Sequence, residues 1–259
     1  MEFLNNFKNN VVFMIKFGEV ENLKKLQKGE LYCKNLKFYS DQERKTGDKS
    51  MGDIIEGKYR LTQCCIDCYD KDTKKLYYRY KDKTVLISVE DIEKMPVFCI
   101  TGIKVEDLTF KKEDESTVSC NLKFSNILEK MYSESYWNSG LIINNMSAFI
   151  DRIIKACKNE GIEIQKRPVN YTDMDKNCLD RIQDIDKNLN NIAFWKDESY
   201  SYQYEYRIAF ENKVVDDNFI LDIGDISDIS KLYNKKELLE FMNREHTVQI
   251  KKKYFSVIK

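Results

Sequence analysis

The sequence contains little proline, glycine or histidine. Its 259 residues include 2 prolines, 9 glycines and a single histidine, His246. So little proline and glycine argues against a flexible linker, and we therefore expect one compact domain spanning residues 1–259. A single imidazole makes a histidine-rich zinc site untenable, and His246 is expected to have a surface or structural role. The nucleophile-elbow motif is also missing, so we do not expect a Ser-His-Asp hydrolase.

The sequence also lacks net charge and a long apolar run. Its 43 basic and 43 acidic side chains balance, so no global field attracts nucleic acid or an anionic membrane, although a local basic patch is compatible with this balance. No apolar run approaches the roughly 20 residues of a membrane span. The N-terminus has no signal-peptide pattern. We expect a cytoplasmic protein that does not bind membranes.

Cysteine is more abundant, with 8 residues. Cys65 and Cys68 form a C-x-x-C pair, but no second pair follows at zinc-ribbon spacing. We therefore expect reduced and mostly buried thiols, with metal binding and redox chemistry as less favoured alternatives.

Hydrophobic periodicity predicts a mixture of strands and helices. An apolar run predicts a buried strand that ends near Phe17, and helical spacing over 19–27 precedes Gly29, which suits the end of a helix. Alternation over 59–101 predicts an antiparallel meander with turns at 70–72 and 81–83, and 95–103 should be a central strand. No regular βαβ rhythm is present. The fold class is therefore α+β, with a mixed, mainly antiparallel sheet and short flanking helices.

Other segments give further predictions. The polar segment 40–58 predicts an exposed loop of the kind that often carries function. Residues 203–210 predict a strand, with 219–221 as its hairpin partner, and 162–171 predicts a strand with Pro168 at an edge or an end. Helices are predicted over 122–132, 147–159, 179–194 and 235–243, and further strands over 141–143 and 247–250.

The predicted strand around Glu205 carries polar side chains on one face and aromatic ones on the other. Period-two geometry places Gln203, Glu205 and Arg207 together. One interpretation is a half-buried strand whose charged residues lie in solvent. The other makes Glu205 a pocket carboxylate that Arg207 and Gln203 position and that pairing with Arg207 keeps ionised.

The loop over 40–58 carries a group of carboxylates. They are Glu43, Asp48, Asp53 and Glu56. Oxygen ligands suit magnesium, but the spacing does not match an EF-hand, so a solvated or hydrogen-bonded loop is favoured over metal and substrate contacts. We therefore assign no metal site, and metal-dependent phosphodiester chemistry at this loop is the weakest functional hypothesis.

Several short motifs together resemble a family of uncharacterised bacterial and phage proteins. The resemblance spans nearly the whole chain and names no activity. Its motifs are Lys16-Phe17-Gly18, Gly29-Glu30-Leu31-Tyr32, Glu43 with Gly47-Asp48, Glu56-Gly57, and Lys196 with Gln203-x-Glu205-Tyr206-Arg207.

The same motifs are more distantly similar to ADP-ribosyltransferases of the toxin and phage-conflict type. That resemblance implies an NAD site, with Glu205 as the catalytic glutamate on a late strand and with Tyr32 or Tyr39 stacked on nicotinamide. Those enzymes usually have histidine or arginine on the first strand, where this chain has Lys16. Lysine lacks the planar fork of arginine, so a degenerate pocket that only binds a nucleotide fits equally well.

The resemblance therefore implies a phage–host conflict protein that binds NAD or a related nucleotide. The residues expected to bind the nucleotide beside the catalytic Glu205 are Lys16, Gly18, Tyr32, Tyr39, Glu43, Asp48, Glu56, Gln203 and Arg207. The alternative is a non-enzymatic binding protein that inhibits a defence factor or a nucleic-acid enzyme through a tyrosine-rich surface. Its partner would be a protein or nucleic-acid target, and it would have exposed aromatic residues and no concave site at Glu205.

Overall fold

The strands follow the apolar and alternating segments of the sequence. The structure is a computed structural model that describes residues 6–47, 52–122, 124 and 138–252. The strands are β1 (Val11–Gly18), β2 (Glu30–Asn35), β3 (Tyr59–Tyr69), β4 (Leu76–Ile87), β5 (Pro96–Lys104), β6 (Thr109–Glu113), β7 (Thr117–Leu122), β8 (Ser139–Ile143), β9 (Ile164–Pro168), β10 (Asn170–Thr172), β11 (Trp195–Asp197), β12 (Glu205–Phe210), β13 (Asn218–Asp222), β14 (Ser230–Asn234) and β15 (His246–Lys251).

The helices are short and lie between these strands. They are α1 (Val20–Gln27), α2 (Leu36–Thr46), α3 (Glu90–Glu93), α4 (Met146–Asn159), α5 (Leu179–Lys187) and α6 (Lys235–Asn243), with 3-10 turns at Val105–Asp107, Leu189–Phe194 and Glu198–Gln203. The α+β prediction, with a mainly antiparallel sheet, is confirmed. Among the described residues, no helix has the length and apolar character needed to cross a bilayer.

The main sheet has the strand order β13-β2-β5-β1-β8-β14, and β12 and β9 extend it from β5. Alternate side chains of these strands point to opposite faces, and each face is covered. On one face Met14, Phe98 and Ile208 pack with Phe149 and Ile153 of α4. Further apolar clusters form around Phe194 and around Phe124. The central strands are therefore buried on both sides.

The main sheet splits along one edge of β5. The other edge of β5 pairs with β12 from Val97 to Thr101. At the split edge, β2 pairs with β5 only at Pro96 and Val97, and β1 pairs with it from Thr101 to Lys104. Between them, residues 98–100 have no strand partner at this edge of β5 in the described pairings. This gap positions the cavity described below.

Several local predictions are confirmed. The strands at 11–18 and 96–104, the helix α4 and the late helix α6 lie where periodicity predicts them. Pro168 is the last residue of β9, as a residue without an amide hydrogen requires. The predicted helix over 122–132 and the residue Asp48 lie largely or wholly outside the described residues.

The prediction of an exposed loop over 40–58 is wrong. The segment begins within α2, whose first turn is capped because the Asn35 side chain accepts a hydrogen bond from the Phe38 amide at 2.9 Å. After the helix, Asp53 and Glu56 are buried, with 2% exposure each. The sequence interpretation missed the burial of Glu56 because its partner, Arg207, lies 151 residues further along the chain.

Three other predictions are also wrong. No turn lies at 81–83, because β4 runs through it and Asp82 absorbs a register irregularity with a φ of 53°. Residues 218–222 pair with β2 instead of β12, whose two edges are already occupied by β5 and β9. The predicted helix over 179–194 ends at Lys187, and a 3-10 turn follows.

Candidate functional site

A cavity of about 820 Å³ occupies the split in the main sheet. Its walls come from the end of β1, from α1, from β2, from the unpaired edge of β5 and from the start of β12. Of the predicted site residues, it brings together Lys16, Gly18, Tyr32, Tyr39, Gln203, Glu205 and Arg207. Its volume is within the range of about 300–1,000 Å³ that is common for small-molecule sites. The end of β1, with Lys16 and Gly18, and the start of β12, with Glu205, thus face one shared space.

Lys16 lies where β1 diverges from β5. Its ammonium donates a hydrogen bond of 2.6 Å to the backbone carbonyl of Cys99, which the split leaves without a strand partner. The ammonium also lies 5.2 Å from the centroid of the Phe98 ring, so a cation–π contact supports it. An ammonium has three donors. Lys16 is therefore anchored on the cavity wall with capacity for a ligand anion.

Lys196, Glu205 and Arg207 on the cavity wall join Glu56, which lies behind them, in a group of four charged side chains that we call the ion cluster. Arg207 Nε donates to Glu205 Oε1 at 2.7 Å, and Lys196 Nζ donates to Glu205 Oε2 at 3.2 Å. Arg207 Nη1 donates to Glu56 Oε1 at 2.7 Å. Arg207 is 1% exposed and Glu205 is 7% exposed. The two carboxylates and two cations therefore neutralise each other inside the protein, as buried charges require.

The ion cluster keeps Glu205 ionised. Burial alone would raise the pKa of this carboxyl, but the Arg207 and Lys196 charges outweigh burial and hold the pKa well below its usual range. Burial likewise opposes the charge of Lys196, yet Glu205 and Glu56 raise the pKa of its ammonium. Glu205 is therefore a carboxylate throughout the physiological pH range, as predicted from its neighbour Arg207.

The prediction that these charges lie in solvent on a half-buried strand is wrong. β12 is central in the sheet, and Glu205 and Arg207 are buried. Gln203 lies outside the strand, in the 3-10 turn that precedes it, because Tyr204 adopts a left-handed conformation with a φ of 47°. Gln203 still joins the site, since its side-chain oxygen accepts a hydrogen bond of 2.9 Å from Lys196 Nζ.

The two candidate tyrosines lie at different depths. Tyr39 is deep: its hydroxyl accepts from the Cys99 thiol at 3.9 Å, and burial, Cys99 and Glu205 raise its pKa. Tyr32 is 47% exposed, and the Lys34 ammonium lies 5.5 Å from its ring centroid. Tyr39 is thus the tyrosine near Glu205, and Tyr32 borders the cavity where it is open to solvent.

Two predicted binding residues do not line the cavity. Glu56 lies behind Arg207 in the ion cluster. Glu43 accepts hydrogen bonds from the Ile54 amide at 2.5 Å and from the Tyr200 hydroxyl at 3.2 Å. Both carboxylates hold the structure around the site. Among the described residues, no group of three or more histidine, cysteine, aspartate or glutamate side chains could hold a metal ion.

The cysteines are free, as expected, but most are not buried. Cys33, Cys120 and Cys157 are buried, whereas the other five are partly or fully exposed. Three of those five lie on β3, the strand that contains the C-x-x-C pair, and that strand is open to solvent over most of its length. The prediction of mostly buried thiols is therefore wrong.

Sequence reasoning did not single out Lys196, Cys99 or Phe98 as site residues. Lys196 directly follows the apolar run Ala193-Phe194-Trp195, and its place at the end of that run was the available signal that it is buried. Cys99 and Phe98 belong to a uniformly apolar strand, and no local signal marks the split that exposes them.

Comparison of the whole chain with protein-family models, with curated proteins and with solved structures finds no match. The geometry of the cavity is therefore the basis for any functional conclusion.

Proposed function

We propose that the cavity binds NAD or a related nucleotide in the manner of an ADP-ribosyltransferase, with Glu205 as the catalytic carboxylate. The observation that carries the proposal is an ionised glutamate on the wall of a cavity of about 820 Å³. Arg207 and Lys196 fix both of its oxygens. A carboxylate held in this way accepts a hydrogen bond from a ribose hydroxyl and stabilises positive charge that develops nearby.

Aromatic and basic side chains along the cavity support a nucleotide as ligand. Tyr39 lies close to Glu205 and suits the nicotinamide ring. Toward the opening, Tyr32 offers a second flat surface for the adenine base. Lys16, Lys25 and Lys34 also line the cavity and suit the pyrophosphate that joins the two halves of NAD.

The chemical step needs no metal. The bond between nicotinamide nitrogen and ribose C1′ breaks, and its electron pair leaves with nicotinamide. The ribose develops oxocarbenium character, which the Glu205 carboxylate supports through the neighbouring ribose hydroxyl. An acceptor nucleophile then bonds to C1′ and releases a proton. With water as acceptor, the products are ADP-ribose, nicotinamide and a proton.

The identity of residue 16 bears on whether the cavity catalyses transfer or only binds the nucleotide. The Lys16 ammonium is tied to the Cys99 carbonyl and offers a point charge, whereas arginine would offer a planar pair of donors. A point charge suits a phosphate group. Binding without turnover is therefore the second outcome that the experiment must distinguish.

The test is nicotinamide release from NAD, measured for the wild type, for Glu205→Gln and for Glu163→Gln, an exposed glutamate outside the cavity. We expect release by the wild type and by Glu163→Gln, and a loss of roughly 100-fold or more in Glu205→Gln, as is typical when a group that stabilises a transition state is removed. Wild-type protein that releases no nicotinamide, or a Glu205→Gln variant that is fully active, contradicts catalysis.

Glu205→Gln also weakens the ion cluster, so its folding must be checked by thermal unfolding. A second variant, Lys16→Gln, changes the cavity without touching the cluster. Calorimetric titration with NAD should show weaker binding to Lys16→Gln than to the wild type. If NAD binds but no nicotinamide is released, the cavity is a nucleotide-binding site and the protein is not a transferase.

The alternative, a binding protein with a tyrosine-rich surface, predicts exposed aromatic residues, such as Tyr77 and Tyr78, and no concave site at Glu205. The cavity at Glu205 therefore favours the first proposal. The role in conflict between phage and host stays a prediction from the resemblance.

A further inference from the structure

β3 and β4 form a two-stranded ribbon, which in the described structure pairs with no other strand. The start of β3 attaches the ribbon to the body of the protein, because Tyr59 packs in the core. Arg60 Nη2 donates a hydrogen bond of 2.5 Å to Asp175 Oδ1, and the Thr62 amide donates one of 2.9 Å to Asn177 Oδ1. From Gln63 to Val89 no side chain is buried. The ribbon therefore projects from the body of the protein, and most of its side chains contribute nothing to the core.

The ribbon carries an exposed pair of aromatic rings. Tyr78 and Tyr80 are two residues apart in β4 and lie on the same face, with ring centroids 4.6 Å apart and ring planes at 64°. They are 54% and 44% exposed. Cys68 and Ile66 lie opposite them on β3, so the face is apolar on both strands. The rings and their cross-strand neighbours stabilise the ribbon, but about half of each ring remains in solvent, so the face is an exposed apolar patch of the kind that binds a partner.

One positive charge lies beside this pair of rings, and the ribbon as a whole carries an excess of basic residues. The Lys83 ammonium lies 5.7 Å from the Tyr80 ring centroid. Between positions 70 and 83 basic residues outnumber acidic ones, although the whole chain is neutral. The basic residues there are Lys71, Lys74, Lys75, Arg79, Lys81 and Lys83, and the acidic ones are Asp70, Asp72 and Asp82.

We propose that the β3–β4 ribbon binds single-stranded nucleic acid. Unpaired bases stack on aromatic rings such as Tyr78 and Tyr80, and lysines follow the phosphate backbone. A second copy of this chain fits less well, because a symmetric dimer through this face would bring two basic ribbons together. The inference is independent of the proposed NAD pocket, since no ribbon residue lines that cavity.

The test is fluorescence anisotropy with a labelled single-stranded RNA and a single-stranded DNA of mixed sequence. We expect the double variant Tyr78→Ala/Tyr80→Ala to bind roughly tenfold or more weakly than the wild type, because each stacked base depends on a ring. Tyr78→Phe/Tyr80→Phe keeps the rings and should bind like the wild type. Lys81→Gln/Lys83→Gln should weaken binding and lower the salt dependence, while Lys155→Gln/Lys158→Gln on exposed positions of α4 should not.

Three results would overturn the proposal. The first is wild-type protein that binds neither strand at 50 mM salt, and the second is a Tyr78→Ala/Tyr80→Ala variant that binds as tightly as the wild type. The third is a concentration-dependent dimer that the alanine variant abolishes while nucleic acid has no effect, which would assign the face to a second copy. Since Tyr78 and Tyr80 are exposed, circular dichroism should show that every variant folds. The readout is nucleic-acid binding and not nicotinamide release, so failure of this proposal is distinguishable from failure of the NAD proposal.

Discussion

Asp53 is the least satisfied acidic side chain near the ion cluster. Its Oδ1 accepts a hydrogen bond from the Ile55 amide at 3.1 Å, and its buried Oδ2 has no hydrogen-bond partner. Burial and the neighbouring Glu56 carboxylate raise the pKa of Asp53 to about 7, although Lys196 opposes them. An acid whose pKa is higher in the folded than in the unfolded state makes the fold less stable once it must ionise.

Asp53→Asn should therefore stabilise the protein above neutral pH. Aspartate in the unfolded chain ionises near pH 4, whereas Asp53 in the fold ionises near pH 7. The destabilisation grows as pH rises between these values and is complete above pH 7. We expect Asp53→Asn to gain roughly 1–3 kcal/mol in the free energy of unfolding at pH 8 and little at pH 4.

Urea unfolding at both pH values measures this difference. Asp151→Asn on an exposed position of α4 is the control. An equal gain at pH 4 and pH 8 would show that titration of Asp53 is not the cause.

Among the elements that border the cavity, α1 and β2 depend on Gly29. This residue ends α1 with a φ of 105°, and a Cβ there would lie 2.6 Å from the backbone carbonyl of Gly224. Its own carbonyl accepts a hydrogen bond of 2.9 Å from the Ile223 amide. Two backbone segments meet here, so a side chain cannot be accommodated by a change of rotamer.

Gly29→Ala should destabilise the protein more than Gly161→Ala. Both glycines have positive φ, but a Cβ at Gly161 would meet open space. The conformational cost alone is about 1 kcal/mol, so we expect about that loss for Gly161→Ala and a clearly larger one for Gly29→Ala. Thermal unfolding of both variants measures the comparison, and equal losses would mean that the contact with Gly224 is unimportant.

Some helices and strands could be predicted from the sequence, and others could not. Helix α4 and strand β5 were predictable because their apolar periodicity is local and their surroundings are apolar. Segment 40–58 was not predictable, because Glu56 is buried only through its bond to Arg207, which is 151 residues away. The pairing of β13 with β2 was not predicted for a related reason, because the strand that has a free edge is determined by the arrangement of the whole sheet.

At the scale of the whole molecule, the candidate site depends on residues far apart in the chain. The sequence predicted that Lys16, Tyr39 and Glu205 share a pocket, and the cavity contains all three. It did not predict the split at residues 98–100 that makes the cavity, because that split arises from how β1 and β2 diverge along β5. It also did not predict the projecting ribbon, since alternation indicates a strand but not whether its sheet packs against the rest of the protein.

If the cavity binds NAD, the ligand should stabilise the whole fold, because it contacts elements from β1 to β12. At an NAD concentration about 100-fold above the dissociation constant, the free energy of unfolding rises by about 2.7 kcal/mol. For a chain of this size the melting temperature should rise by roughly 5–10 °C. Differential scanning calorimetry with and without NAD measures the shift.

Two variants separate the cavity from the rest of the surface in that measurement. Lys16→Gln should reduce the shift, because Lys16 lies on the cavity wall, whereas Tyr78→Ala/Tyr80→Ala on the ribbon should leave it unchanged. If millimolar NAD does not change the melting temperature of the wild type, the proposal of a nucleotide site is wrong, although the description of the fold is unaffected. If only Tyr78→Ala/Tyr80→Ala abolishes the shift in melting temperature, NAD binds at the ribbon and not in the cavity.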